Sequence, residues 1–193
     1  MFADDTEEGL AFAAALVNTA HGETLPDVDA LDAFVREWKW TGHRARTASE
    51  LKEVHALRTR LRKIWDADED EVVRIVNALL REARALPQLV KHDDWGYHLH
   101  ATPSHAPLAT RMAVEAAMAF MDVVRTGQLP RLRLCGASDC RNVVIDLSKN
   151  HSKRFCDDGC GNRVAVAAYR ERKRKPAASR AHRVGIKGRE GGP

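Results

Sequence analysis

The chain has 193 residues, enough to bury a real core and to carry one ordinary domain plus a small one. Hydrophobic residues make up 44% and charged residues 30%, the balance of a soluble globular protein. The longest nearly unbroken apolar run, Leu10 to Val17, is too short to span a bilayer, and the acidic start Met-Phe-Ala-Asp-Asp-Thr-Glu-Glu lacks the basic segment of a secretory signal. A cytoplasmic protein without a membrane partner is therefore expected, in a compartment where cysteines serve as metal ligands or catalysts rather than as disulfide partners.

The net charge of +4 is unevenly spread. Residues 1–130 carry 15 Lys and Arg against 21 Asp and Glu (net −6), whereas residues 131–193 carry 16 against 6 (net +10). An acidic body with a basic end predicts two parts, of which the basic one meets a polyanion.

Glu8 to Asn18 is Ala-rich and reads as a buried helix. Asp27 or Asp29 can cap a second, on which Leu31, Phe34, Val35 and Trp38 share a face. Thr47 or Ser49 opens a third, striped by Leu51, Val54, Leu57, Leu61 and Ile64. The acids from Asp66 to Glu71 cap a fourth, with Val72, Val73, Ile75, Val76, Leu79 and Leu80 inward, ended by Leu86-Pro87. The period then shortens, and Leu89-Val90 and Trp95 to His100 around Asp93-Asp94 predict a β-hairpin. Leu108 to Val124 is a further helix, and Gly127 and Pro130 mark a boundary. Beyond it, short β-like pieces (Leu132 to Leu134, Val143 to Asp146) alternate with cysteines, and a helix is expected from about Gly161 to Lys175, with Val164, Ala167, Ala168 and Tyr169 packing towards the metal core. Pro176 stops it, and the remainder reads as disordered tail.

All four cysteines lie between positions 135 and 160, as Cys135-x4-Cys140, fifteen residues, then Cys156-x3-Cys160. Two short-spaced thiolate pairs on a hairpin-length link suit one tetrahedral zinc ion. Four protein thiolates leave no open coordination position, so the expected site is structural rather than catalytic. The metal substitutes for a core that some forty residues can hardly build alone. The same thiolates could take iron, and His151 or His182 is an alternative ligand of lower rank because neither has paired spacing.

Cys135-Gly-Ala-Ser-Asp-Cys140, Val144-Ile-Asp146-Leu-Ser148-Lys-Asn-His-Ser-Lys-Arg154-Phe-Cys156 and Cys160-Gly161-Asn162-Arg163, followed by Tyr169-Arg170, resemble the CGNR zinc fingers over Leu132 to Arg174. Leu16-Val17-Asn18-Thr19 and the Leu- and Arg-rich third helix resemble the ABATE-type domain that usually precedes this finger, with Ala15-Leu16 where Asp-Phe is common. The resemblance implies a bacterial transcription regulator, sometimes called stress-related.

Arg163, Arg170 and Arg174 share one face of the last helix, Arg172, Lys173 and Lys175 thicken its basic end, and Arg141, Lys149, Lys153 and Arg154 add charge from the hairpin. A zinc module presenting one basic helix is a recurring way into the DNA major groove. Against this, Arg163 directly follows a ligand and is as well suited to bracing the knuckle, by capping carbonyls or pairing with Asp146 or Asp157. Asp146 and Ser148 read as turn residues around the zinc, and Asn162 as a turn or cap residue.

In the N-terminal part, His98 and His100 share a strand face with His92 and His105 nearby, and read as exposed or hydrogen-bonded histidines ahead of a second metal site. Trp38, Trp40, Trp65 and Trp95 read as core ahead of a small-molecule pocket. No nucleophile elbow, phosphate-cradling glycine loop or metalloprotease His-Glu pair is present, so no enzyme is expected.

The expected fold is mainly α. A helical, ABATE-like domain with one small β-hairpin (1–130) serves as sensor or dimerisation unit. A small α+β four-cysteine zinc module (131–175) binds DNA, and a basic tail (176–193) follows. The expected protein is a nucleoid-associated regulator with one structural zinc, a small-molecule effector and a homodimeric state. The rival readings are a zinc-stabilised module docking an acidic protein, an RNA-binding protein, and an enzyme sited in the N-terminal domain.

Overall fold

The structure is a computed structural model and describes residues 2–91 and 96–174. The expected tail, Lys175 and the hairpin tip with His92 and Trp95 lie outside the described residues. The architecture is mainly helical, as composition and periodicity predict. In chain order it runs α1 (Asp4–Asn18), α2 (Val28–Glu37), α3 (Ala48–Arg62), α4 (Glu69–Glu82), β1 (Gln88–Val90), β2 (His98–His100), α5 (Leu108–Arg125), β3 (Leu132–Leu134), β4 (Val143–Ile145) and α6 (Cys160–Arg174). None of the described helices is long and apolar enough to cross a membrane.

Local chemistry sets the helix starts. Asp27, Thr47 and Asp68 each accept the backbone N–H three residues on, at 2.8, 3.2 and 2.9 Å, so the caps sit where short polar side chains satisfy orphan donors. α1 begins earlier than its apolar run, because Asp4, Asp5 and Glu7 in its first turn favour the positive end of the helix dipole.

α5 is the central element, packed against α1, α3 and α4. Small residues allow the close approach of α1: a Cβ on Gly9 would stand 3.0 Å from the Cβ of Ala119. Leu10, Leu16, Leu61, Ile64, Val72, Met112 and Phe120 are fully or nearly fully buried around it. Burying each such side chain contributes about 1.5–3 kcal/mol, so this layer dominates the fold's stability.

The two hairpins are antiparallel, with Leu89 opposite Leu99 in one and Arg133 opposite Val144 in the other. The second joins the helical body to the cysteine module. β4 is buried along its whole length, Val143 and Ile145 in the helical core and Val144 against the cysteines. Its backbone is held from the helical side. Asn18, the last residue of α1, donates from Nδ2 to the Val143 carbonyl (3.0 Å) and accepts the Val143 N–H at Oδ1 (2.7 Å). Trp65 Nε1 donates to the Val144 carbonyl at 3.2 Å.

Candidate metal centre and nucleic-acid interface

The four cysteines converge. Their sulfurs lie within 4.8 Å of one another, with Cys140–Cys156 at 3.8 Å and Cys156–Cys160 at 3.5 Å. Four sulfurs at about 2.3 Å from a tetrahedral zinc stand about 3.8 Å apart, so the spacing matches the ion with little rearrangement. Cys135, Cys156 and Cys160 are buried and Cys140 is half-buried. Thiols this close oppose one another's ionisation: Cys156 foremost, then burial, pushes Cys160 up to about 12. Burial also pushes Cys135 up, but the N–H groups of Cys156 and Ala137 outweigh it and its net direction is down. A bound cation supplies what the cluster lacks, since a coordinating thiol is deprotonated by the metal itself.

The loop between the pairs is built on Asp146. Its carboxylate, fully buried, accepts from the Ser148 N–H (3.1 Å), the Ser148 hydroxyl (2.5 Å) and the Lys153 N–H (3.1 Å), with Arg133 Nη1 at 3.3 Å. These donors hold its carboxyl below the usual range despite the burial that opposes ionisation. Ser148 in turn accepts the Ser152 N–H at 2.9 Å, which folds the chain back towards Cys156. Two glycines then admit Phe155 over the knuckles: a Cβ at Gly161 would lie 3.2 Å from its ring, and one at Gly136 would lie 3.1 Å from the Arg154 carbonyl.

Arg163 braces the cluster. Its Nη2 donates to Cys160 Sγ at 3.3 Å and to Asp139 at 2.8 Å. The partner is thus Asp139 on the first knuckle, not Asp146, already saturated, or Asp157, which pairs with Lys153 at 2.9 Å. Asn162 is exposed on the first turn of α6. Arg170, Arg172, Lys173 and Arg174 are all exposed on the same helix, and Arg154 is exposed with its guanidinium 5.6 Å from the Phe155 ring centroid.

The expected packing of α6 onto the zinc core is corrected. Only Cys160 of the helix is buried; Val164 is 37% and Tyr169 52% exposed. The helix leaves the module at its N-terminal turn, and among the described residues nothing buries Val164, Val166 or Tyr169, which lie beside its basic residues.

The helical body holds a cavity of about 410 Å³ that sequence reasoning did not locate. Phe12, Trp38 and Trp40 form one wall, with Phe12 ring centroids 5.6 and 4.9 Å from Trp38 and Trp40, so these two tryptophans line a cavity while Trp65 is core. Buried Arg111 ties together the loops that close one end. It donates from Nε to the Ala106 carbonyl (3.1 Å), from Nη2 to that of His43 (2.6 Å) and from Nη1 to that of Thr41. His98, His100 and Glu115 line the far side, with Asp5 and Glu8. Burial, then the charge of Asp5, pushes the Glu115 carboxyl up to about 7. The available signal for Glu115 and Arg111 was two charged residues in an otherwise apolar stretch of α5; for Asn18 it was the Leu16-Val17-Asn18-Thr19 motif, which marks the residue without naming its partner.

Comparison with known families agrees with the two halves of this description. Residues 131–173 match the CGNR zinc finger, so the four-cysteine cluster is the site of one zinc ion in a module of known type. No curated protein matches the chain. Residues 10–127, more than half the chain, match the ABATE family, described as "Putative stress-induced transcription regulator", and the protein belongs to that family.

Proposed function

We propose that this protein regulates transcription by binding duplex DNA through α6. The observation that supports the reading most strongly is the exposure of that helix. Fifteen residues make about 22 Å of helix, in which Cys160 is the one buried residue and Arg163 pairs with Asp139 of the first knuckle. Exposed Arg170, Arg172, Lys173 and Arg174 would neutralise phosphates, and the Arg163–Asp139 pair ties the first turn of the helix to the first knuckle. Zinc acts as scaffold, and no catalytic step belongs to this function.

The cavity between α1, the 38–41 loop, β2 and α5 is the effector site in this reading. Its route to the finger is short, because α1 lines the cavity with Phe12 and ends in Asn18, which holds β4. A ligand that shifts α1 changes the position of the strand on which the zinc module is mounted.

The test is selection of the zinc-loaded protein on random duplex DNA at two salt concentrations, followed by sequencing. A defined motif retained at the higher salt supports sequence-specific regulation. Retention at low salt alone, without a motif, overturns it and favours an acidic protein partner, for which exposed Val164, Val166 and Tyr169 would supply apolar contacts.

A further inference from the structure

We infer that the cavity of the helical body binds an organic monocation, a protonated amine on an apolar or aromatic body, with its ammonium beside Glu115. The inference rests on the reading of this cavity as the effector site and gives that site a ligand class. At about 410 Å³ the cavity lies within the range of small-molecule sites. Two helices give it two unlike ends. On α1, Asp5, Glu8 and Phe12 are three and four residues apart and share one face, which runs about 10 Å from carboxylate to ring. On α5, Arg111 and Glu115 are four apart and share the facing side. Arg111 stands at the aromatic end, its Cζ 6.0 Å from the Trp40 ring centroid. Glu115 stands at the acidic end, where the charge of Asp5 acts on it more than that of Arg111 does.

The sign of the ligand follows from what each charged group is already doing. Arg111 has all three of its nitrogens on loop carbonyls, so it closes the cavity and offers no open fork to an anion. Lys39 also lines the cavity and is exposed to water. Against these two cations stand the carboxylates of Asp5, Glu8 and Glu115. Glu115 is 28% exposed, with His100 Nδ1 3.8 Å away, and among the described residues no hydrogen bond reaches its carboxylate. A part-buried carboxylate without a donor is costly, which is why burial, then Asp5, pushes it up to about 7. An ammonium would supply both the opposite charge and the missing N–H donors. A carboxylate ligand would instead meet three like charges.

The other end suits the body of the same molecule. Phe12 is buried, Trp38 and Trp40 are half-buried, and the three rings meet at 74° and 56°, so they form a concave apolar wall rather than a flat stack. Arg111 already lies over Trp40, so a second positive charge is repelled from that end and the ammonium belongs with Glu115. His98 and His100, bonded to each other at 3.0 Å, line the same side as Glu115.

The experiment is isothermal titration calorimetry of the zinc-loaded full-length protein at about pH 8, where Glu115 is largely ionised. Three probes of similar shape differ in charge: phenethylammonium, 2-phenylethanol and 3-phenylpropanoate. Phenethylammonium should saturate one site per chain with a Kd on the order of 1 mM or below. It should bind at least about 10-fold more tightly than the alcohol, and the carboxylate should bind most weakly. Glu115→Gln should weaken the amine about 10-fold, to the level of the alcohol, with alcohol binding and the far-UV circular dichroism unchanged. No saturable binding of the amine, equal binding of amine and alcohol by wild type, tighter binding of the carboxylate, or a Glu115→Gln protein that keeps its preference for the amine would overturn the site. Selection on random duplex DNA with and without phenethylammonium tests the regulatory reading separately. A bound amine that leaves the retained DNA unchanged rejects the cavity as an effector site and leaves the cation site standing.

Discussion

α5 and α6 are two long helices with opposite relations to the rest of the molecule. α5 buries eleven of its eighteen residues, including Met112, Ala116, Ala117 and Phe120, and α1, α3 and α4 pack against it. α6 buries one of its fifteen, the ligand Cys160. The first is held by many small dispersion and hydrophobic contributions spread along its length. The second is held at one end by a metal. Burial among the described residues accounts for α5, and in α6 it accounts for Cys160 alone.

The sharpest way to test that contrast is to remove the metal. Cys156→Ser, or chelation of the zinc, should dissolve the module beyond β4 while α1, α3, α4 and α5 stay folded. Zinc contributes on the order of 10 kcal/mol to modules of this kind, far more than their own apolar contacts. Limited proteolysis should then cut within residues 146–174 and spare residues 4–82. Because Val143 and Ile145 are part of the helical core, the melting temperature of the body should also fall. An unchanged zinc content in the variant would reject Cys156 as a ligand.

The body has its own polar staple, at Glu50. Its carboxylate, 4% exposed, accepts from Arg44 Nε and Nη2 (3.1 and 3.0 Å) and from the N–H groups of Ala45 and Arg46 (3.0 Å each). Burial raises its pKa, but Arg44 and the backbone donors outweigh it, so the folded value lies below the ordinary 4.5. A depressed carboxyl stabilises the fold above its unfolded pKa and loses that contribution as pH falls through the folded value. Glu50→Gln should cost about 1–3 kcal/mol at neutral pH in urea unfolding, since it removes the charge faced by Arg44 and the Ala45 and Arg46 N–H groups while Arg44 keeps Asp32 at 2.7 Å. The difference from wild type should shrink as pH falls below 4.5. A constant difference across that range would mean that the charge of Glu50 is irrelevant.

The junction between the two regions should be weaker. Asn18→Ala removes both side-chain bonds to Val143 and leaves a buried N–H and carbonyl unsatisfied, at about 1–3 kcal/mol. The expected outcome is a lower melting temperature with one zinc still in the cysteine site, and faster amide exchange at Val143 than in wild type. Unaltered exchange there would show that Trp65 and the core packing alone hold the strand.

These residues also show what the sequence could express. The cysteine cluster was legible because zinc imposes ligand type and spacing over a short segment, and the caps of α2, α3 and α4 were legible because a cap is a three-residue event. Thr47 and Glu50 even have the spacing of a capping box, yet Glu50 turns to Arg44 instead, a choice made by the loop that precedes the helix. The roles of Asn18, whose motif was visible, and of Glu115 were illegible because they depend on a partner 125 residues away or on a cavity that exists only after folding. The apolar positions of α6 misled for a related reason. Spacing identifies a face, but only the surrounding structure decides whether anything covers it.

That face gives the smallest expected effect and the closest test of the contrast. Val164 sits one turn after Cys160 and is 37% exposed, with no helix facing it among the described residues. If α6 is held by the metal alone, Val164→Ser should change stability by no more than about 0.5 kcal/mol, the range of ordinary surface substitutions. The variant exposes no new buried polar group and opens no cavity, so neither of the usual large penalties applies. A loss of about 2 kcal/mol, with a melting temperature that rises with protein concentration, would mean that a second copy of the chain covers α6 in solution. Its basic residues would then face a protein surface in the free state, and DNA would have to compete with that contact. A null result leaves the helix open along its length, so that Arg170→Ala or Arg174→Ala should weaken DNA binding and lower the salt dependence by about one phosphate each.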